Sequence, residues 1–235
     1  MNDNGFASIF LKISGIVYLI LMGDLLLAIF TAPVWLLLFL TPLSQSWLAL
    51  ALVAPLLAPA LAAAFVTFEA FVTDGSTAVV RSFVKGWTSL FRRTIPLGAA
   101  ASGLGVIIGV DLYAVAGTSW GAVSIPVFAV AAVLGIVTFT TAIAVLAVRP
   151  DVKRVPALRL GLVLGVRGGL WSLMSIVVLG LFAWMLLQHP ALALIAAPAP
   201  VCFVMWFDAR RAVASWLQQD VGQPVPERQE MTWVR

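Results

Sequence analysis

The chain has 235 residues, of which 62% are hydrophobic and 10% are charged, with a formal net charge of +4. A soluble globular domain carries about a quarter charged residues, so this composition excludes a soluble globular protein and predicts an integral membrane protein. In such a protein the positive charge is typical of basic loops beside spans, and it does not indicate a nucleic-acid partner.

Six apolar segments predict transmembrane helices, because a helix needs about 20 apolar residues to cross a bilayer. In chain order they lie near 13–40, 47–72, 94–116, 120–148, 169–187 and 191–207. The first is longer than the core of a signal peptide, so we expect it to be retained. The fold class predicted is therefore all-α and polytopic, with one six-span membrane domain over 1–213 and a cytoplasmic tail over 214–235.

The basic residues predict the orientation of these spans. All 14 Lys and Arg lie near the two chain ends or in two longer links, 73–93 and 149–168, whereas the three short links contain none. Lys and Arg beside spans stay cytoplasmic. We therefore expect both termini and both longer links in the cytoplasm, which requires an even number of spans.

The first longer link has the pattern of an amphipathic helix near 77–93. Its apolar residues recur at helical spacing on one face: Val80, Phe83, Val84, Trp87, Leu90 and Phe91. This pattern predicts a helix lying in the cytoplasmic interface, followed by Pro96 in the first turn of the third span. The cations of both links form a predicted surface for lipid or a partner, or else a flank that only anchors the topology: Arg81, Lys85, Arg92, Arg93, Arg159 and Arg167.

Two rows of glycine predict close helix packing. Gly105 and Gly109 lie four residues apart in the third span, and Gly161 and Gly165 begin a similar row before the fifth. Small residues at this spacing let a neighbouring helix approach closely within a membrane. The rows predict packing inside the bundle or, alternatively, an oligomer or partner interface.

Four acidic residues lie in or beside the spans: Asp24, Glu69, Asp111 and Asp208. A carboxylate inside a bilayer is costly and is a functional candidate by default. Asp24 lies deepest within its predicted span. A carboxyl group at this depth indicates either an ion or proton relay or a structural hydrogen bond made by the neutral acid. Glu69 and Asp208 are expected to pair with nearby cations, and Asp111 is expected to be hydrated near the outer face.

The sequence contains no recognisable catalytic constellation. It has one histidine, His189, and one cysteine, Cys202, so neither a histidine-rich nor a cysteine-based metal site is expected. There is no phosphate-binding loop of the Gly-x-x-x-x-Gly-Lys-Ser/Thr type. Gly23-Asp24 lacks the first glycine of the Gly-x-Gly-Asp motif of intramembrane aspartyl proteases, and no second motif follows. We therefore expect no enzymatic activity, no metal and no cofactor.

Four segments carry a resemblance to a known family. They are Asp-Leu-Leu-Leu-Ala-Ile-Phe-Thr-Ala-Pro over 24–33, Pro-Ala-Leu-Ala-Ala-Ala-Phe over 59–65, Arg-Ser-Phe over 81–83 with Phe-Arg-Arg over 91–93 and Gly98, and Asp-Leu-Tyr over 111–113. Over 8–167 the chain resembles the YesL-like family of bacterial multi-span proteins, a domain of unknown function. Asp24 stands where that family usually has asparagine, which favours a hydrogen-bonding role for this side chain.

The resemblance implies an accessory role in carbohydrate uptake, because members of this family are often encoded beside sugar importers and glycoside-degrading enzymes. The leading hypothesis is a non-enzymatic protein of the bacterial inner membrane that binds another membrane subunit, such as a carbohydrate ABC importer; a homo-oligomer stays open. The alternative is a self-sufficient transporter or channel for a small solute. That alternative requires a polar cavity that reaches Asp24.

Overall fold

The computed structural model describes residues 3–118, 120–149, 152–167, 170–189, 192–193 and 198–221. These residues form helices and no strand, which confirms the all-α prediction for this part of the chain. The helices are α1 (Asp3–Phe30), α2 (Ala32–Leu40), α3 (Leu43–Val53), α4 (Leu57–Asp74), α5 (Val79–Val115), α6 (Gly121–Val148), α7 (Arg154–Arg167), α8 (Leu170–Gln188) and α9 (Pro198–Val221). A 3₁₀ turn over Ala54–Leu56 joins α3 to α4.

Three of the described helical segments are long and apolar enough to cross a membrane: Gln45–Asp74, Val79–Val115 and Gly121–Val148. A fourth results if α1 and α2 are counted as one bent span. Of the two remaining predicted spans, 169–187 corresponds to α8, which has 19 residues. The last, 191–207, lies partly outside the described residues, and the helix that contains its second half, α9, continues to Val221 into the predicted tail.

The first apolar segment is bent rather than straight. α1 and α2 meet at an angle of 71°, two residues before Pro33, whose missing N–H interrupts the helical hydrogen-bond ladder. The Thr31 hydroxyl donates to Leu27 O at 2.6 Å and accepts a hydrogen bond from Trp35 Nε1 at 2.8 Å. These bonds satisfy polar groups at the break, so the bend can lie inside an apolar bundle.

Small residues let α5 pack closely against α4 and against the 3₁₀ turn before it. A Cβ atom at Gly98 of α5 would lie 2.5 Å from Pro55 O, and one at Gly86 would lie 3.1 Å from Ala63 Cα. The facing part of α4 is rich in buried alanine, and Ala62 and Ala63 have no exposed surface. Close backbone approach of this kind is how helices associate where lipid is as apolar as leucine.

The predicted interfacial helix near 77–93 is not a separate element, because α5 continues without a break from Val79 to Val115. Phe83 and Leu90 on its apolar face are buried, and the Phe30 ring of α1 lies 5.2 Å from the Phe83 ring. Val80 and Val84 on the same face stay exposed. The apolar face therefore packs largely against α1 and α4, where the sequence predicted the lipid interface.

Pro96 lies inside α5, although it was predicted in the first turn of a span. A proline at this position leaves the carbonyl four residues earlier without its helical partner. That carbonyl belongs to Arg92, and it accepts a hydrogen bond from Arg154 Nη2 of α7 at 2.8 Å. The proline thus creates an acceptor that ties α7 to α5.

We expect Arg154→Ala to lower the free energy of unfolding by about 1 kcal/mol, the usual contribution of one hydrogen bond. In a Pro96→Ala background the same substitution should have a smaller effect, because the alanine amide restored at position 96 occupies the Arg92 carbonyl. A double-mutant cycle measured by SDS titration in mixed micelles tests this coupling. Additive effects of the two substitutions would contradict it, and Lys153→Ala is the control.

The bundle is packed at one end and loose at the other. We call the packed end the region formed by α4 over 58–68, the buried face of α5 over 79–98 and α6 over 141–146. In the open end, α5 over 103–115 and α6 over 122–136 leave many apolar side chains exposed, including Ile107, Val110, Val123 and Val127. Because such a surface is unfavourable in water, the open end needs an apolar environment.

Candidate functional site

Asp24 is the most buried of the four acidic candidates, with 4% of its surface exposed. The Ala199 N–H donates to Asp24 Oδ1 at 2.6 Å, which joins α1 to the first turn of α9. Ala199 lies between Pro198 and Pro200, neither of which has an N–H group. A carboxylate at a helix N-terminus satisfies an otherwise unpaired amide and interacts favourably with the helix dipole. The contact gives Asp24 a hydrogen bond that connects two helices.

Glu69 takes part in an ion pair at the packed end. Its Oε1 lies 3.2 Å from Arg210 Nη2, which connects α4 to α9. The Arg210 guanidinium also lies over the ring of Trp206, 5.2 Å from the ring centroid. Both partners are partly buried, so the pair holds two helices together and agrees with the pairing expected for Glu69.

Asp208 and Asp111 differ in their surroundings. Asp208 Oδ2 accepts a hydrogen bond from the Ser175 hydroxyl of α8 at 2.9 Å, in a small polar group that includes Thr140 and Thr141 of α6. Asp111 is half-buried near the end of α5. Among the described residues, no three His, Cys, Asp or Glu side chains lie close enough together to hold a metal ion, so the four carboxylates do not form one such site.

The basic residues of α5 lie outside the core. Arg81, Lys85, Arg92 and Arg93 are all exposed, whereas Phe83 and Leu90 between them are buried. Arg159 of α7 is exposed as well, and the Arg167 side chain lies outside the described part of the structure. The first half of α5 thus presents one packed apolar face and one exposed basic face.

The predicted glycine rows have different surroundings. A Cβ atom at Gly161 would lie 2.5 Å from Thr138 O, so α7 contacts α6 closely at this point. At Gly105 and Gly109 a Cβ atom would meet nothing within 4 Å. These two glycines do not pack against a helix in the described residues and instead line a cavity. The surroundings of Gly165 lie outside the described residues.

This cavity has a volume of about 680 Å³ and is partly open. Its walls come from α1, α2, α4, α5, α6, α8 and α9, and they include Leu61, Leu97, Gly105, Phe139 and Cys202. Ligand pockets range over about 300–1,000 Å³, so the cavity is large enough for a small molecule or a single alkyl chain. Asp24 is not among the residues that line it.

The few hydroxyl groups in the described lining already donate within the protein. Thr31 donates to Leu27 O, Ser102 donates to Ala51 O at 2.6 Å, and Thr140 donates to Ile136 O at 2.7 Å. A sugar site needs several converging polar groups, and these walls do not supply them. The cavity is therefore suited to an apolar ligand and not to a carbohydrate.

Sequence reasoning missed the cavity and the Asp24–Ala199 contact. The glycines at 105 and 109 were the available signal for the cavity, since a row of small residues creates space whether or not a helix fills it. The proline pair at 198 and 200 was the signal for the contact, because prolines mark a helix start. Neither pattern identifies which distant segment lies opposite.

The fold and its apolar surface define a helical membrane protein with at least three candidate spans in the described residues. No family model, curated protein or solved structure matches the chain. The resemblance to the YesL-like family therefore stays a prediction.

Proposed function

We propose that this chain is a non-enzymatic accessory protein of the bacterial inner membrane, with six spans and both termini in the cytoplasm. Its role is to bind another membrane subunit, and a carbohydrate importer is the partner class that the family resemblance implies. The observation that carries the proposal is the two-faced first half of α5, where Phe83 and Leu90 are buried and Arg81 and Lys85 are exposed.

The geometry favours a binding role over transport by the chain itself. A transporter of polar solutes requires polar groups along its path. The cavity is apolar in its described lining, and Asp24 does not reach it. The Asp24 carboxylate accepts a backbone hydrogen bond from Ala199 instead.

Mass spectrometry of the complex isolated from native membranes in mild detergent tests the proposal. We expect a second membrane subunit at a fixed ratio to this chain. Arg81→Glu combined with Lys85→Glu should reduce its recovery strongly, because reversed charge opposes a complementary surface. Lys153→Glu, a single charge reversal on the exposed link before α7, is the control. Recovery of the wild-type chain alone or as a homo-oligomer would overturn the proposal.

A further inference from the structure

We propose that the cavity binds one alkyl chain of an anionic phospholipid, whose headgroup is held by arginines at the end of the cavity nearest Arg93. The inference goes beyond the proposed partner role and does not depend on it. It rests on the lining of the cavity, its dimensions and the charges at one of its ends.

The lining selects an apolar occupant. Thr31, Ser102 and Thr140 use their hydroxyl protons within the protein, and Trp35 Nε1 donates to Thr31. A polar molecule would therefore lose its hydrogen bonds to water without replacement, which is unfavourable. An alkyl chain has no hydrogen bonds to water to lose, and lipid alkyl chains are the most abundant apolar groups around a membrane protein.

The dimensions fit one acyl chain. The lining follows α5 from Leu97 to Leu112, which is about 22 Å at 1.5 Å per residue. That length exceeds the depth of one leaflet, about 15 Å of the hydrocarbon core, so one acyl chain can lie along the cavity over its full length.

The charges at one end select an anionic headgroup. Arg93 lies one turn before Leu97 on the same stripe of α5, which continues through Ala101 and Gly105 along the cavity. Arg92 is adjacent and exposed, and the hydrogen bond from Arg154 to the Arg92 carbonyl brings a third guanidinium to this point. Guanidinium groups bind phosphate oxygens through paired hydrogen bonds. A phospholipid with its chain in the cavity can place its phosphate there.

The first experiment measures bound lipid by native mass spectrometry. The full chain is delipidated and incubated in mixed micelles that contain equal palmitoyl-oleoyl-phosphatidylglycerol and palmitoyl-oleoyl-phosphatidylcholine. We expect one phosphatidylglycerol molecule on the wild-type chain. Gly105→Leu and Gly109→Leu put side chains into the cavity and should weaken binding about tenfold each, the effect of losing contacts to about two methylene groups.

Gly103→Leu is the matched control. Gly103 is on the same helix and exposed, a Cβ atom there also meets nothing within 4 Å, and it does not line the cavity. This variant should bind phosphatidylglycerol like the wild type. Unchanged binding in the Gly105 and Gly109 variants, or an equal loss in Gly103→Leu, would overturn the proposal.

A second arm tests the headgroup contact. Arg92→Gln with Arg93→Gln should remove the preference for phosphatidylglycerol over phosphatidylcholine while one lipid still binds. Arg81→Gln with Lys85→Gln makes the same charge change earlier on α5 and should leave the preference intact. If the variant with Arg92→Gln and Arg93→Gln still prefers phosphatidylglycerol, the assignment of an anionic headgroup is overturned.

A third arm uses the wild-type chain and so does not depend on how variants fold. Phosphatidylglycerol with a photoactivatable diazirine in its acyl chain is crosslinked, and the labelled peptides are identified. We expect labels concentrated on the cavity walls, at Gly105, Phe139 and Cys202. Equal labelling of Val127 and Val130 on the exposed surface of α6 would contradict a specific site, as would a second protein chain crosslinked at the cavity walls.

Discussion

Replacing Gly161 by alanine is expected to destabilise the protein by about 1–3 kcal/mol, the usual cost of overpacking a tight contact. The added Cβ would lie 2.5 Å from Thr138 O and 3.0 Å from Ala142 N. Both are backbone atoms of α6, so α7 must move away as a unit. The free energy of unfolding measured by SDS titration in mixed micelles gives the size of the effect.

Gly105→Ala provides the matched comparison, since both glycines belong to similar rows. A Cβ at Gly105 meets nothing within 4 Å, and alanine favours the helix by about 0.5–1 kcal/mol. We therefore expect this variant to be neutral or slightly more stable. Gly98→Ala should behave like Gly161→Ala, because its Cβ would lie 2.5 Å from Pro55 O. If Gly105→Ala and Gly161→Ala lowered the free energy of unfolding equally, the described contacts would not determine stability.

Replacing Asp24 by alanine is expected to lower stability by about 1–3 kcal/mol, because a buried amide loses its acceptor. The amide is that of Ala199 at the start of α9. Asp24→Asn should retain most of the stability, since the asparagine carbonyl oxygen can accept the same bond. Unfolding in mixed micelles and the detergent-resistant secondary structure of each variant give the comparison.

Asp111→Ala is the control for Asp24, because it also removes a carboxylate from an apolar helix but from a half-buried position. We expect a change within about 0.5 kcal/mol, as for most substitutions away from special contacts.

The Asn variant also separates the two roles considered for Asp24. A stable Asp24→Asn protein that has lost all biological activity would favour a proton or ion relay over the structural bond.

The membrane class and the helical fold could be predicted from the sequence because both depend on local properties. Hydrophobicity over segments such as 120–148 is enough to predict a span, and α6 covers Gly121–Val148. The face of α5 that contains Phe83 and Leu90 was also recognised as apolar. What covers it could not be predicted, because lipid and the alanine-rich surface of α4 attract an apolar face in the same way.

The contacts of the candidate site could not be predicted because they join distant segments. Asp24 and Ala199 are 175 residues apart in the chain, and no periodicity links them. Gly105 and Gly161 belong to equivalent patterns, yet only Gly161 has backbone atoms of another described helix against it. Whether a glycine row becomes a contact or a cavity wall depends on the paths of all neighbouring helices.

Because α5 is continuous, it connects the proposed partner surface at Arg81 and Lys85 to the residues that line the cavity. The helix is 37 residues long, about 55 Å at 1.5 Å per residue, and its basic half and its cavity-lining half belong to one continuous helix. A tilt of about 5° around its middle would move each end by roughly 2 Å on this length, enough to widen or narrow the cavity. Under the two proposals, a subunit that tilts α5 through Arg81 and Lys85 changes lipid affinity at Gly105, and by thermodynamic reciprocity the lipid changes the affinity of that subunit by the same factor. On this view the composition of the surrounding membrane regulates the assembly of the complex.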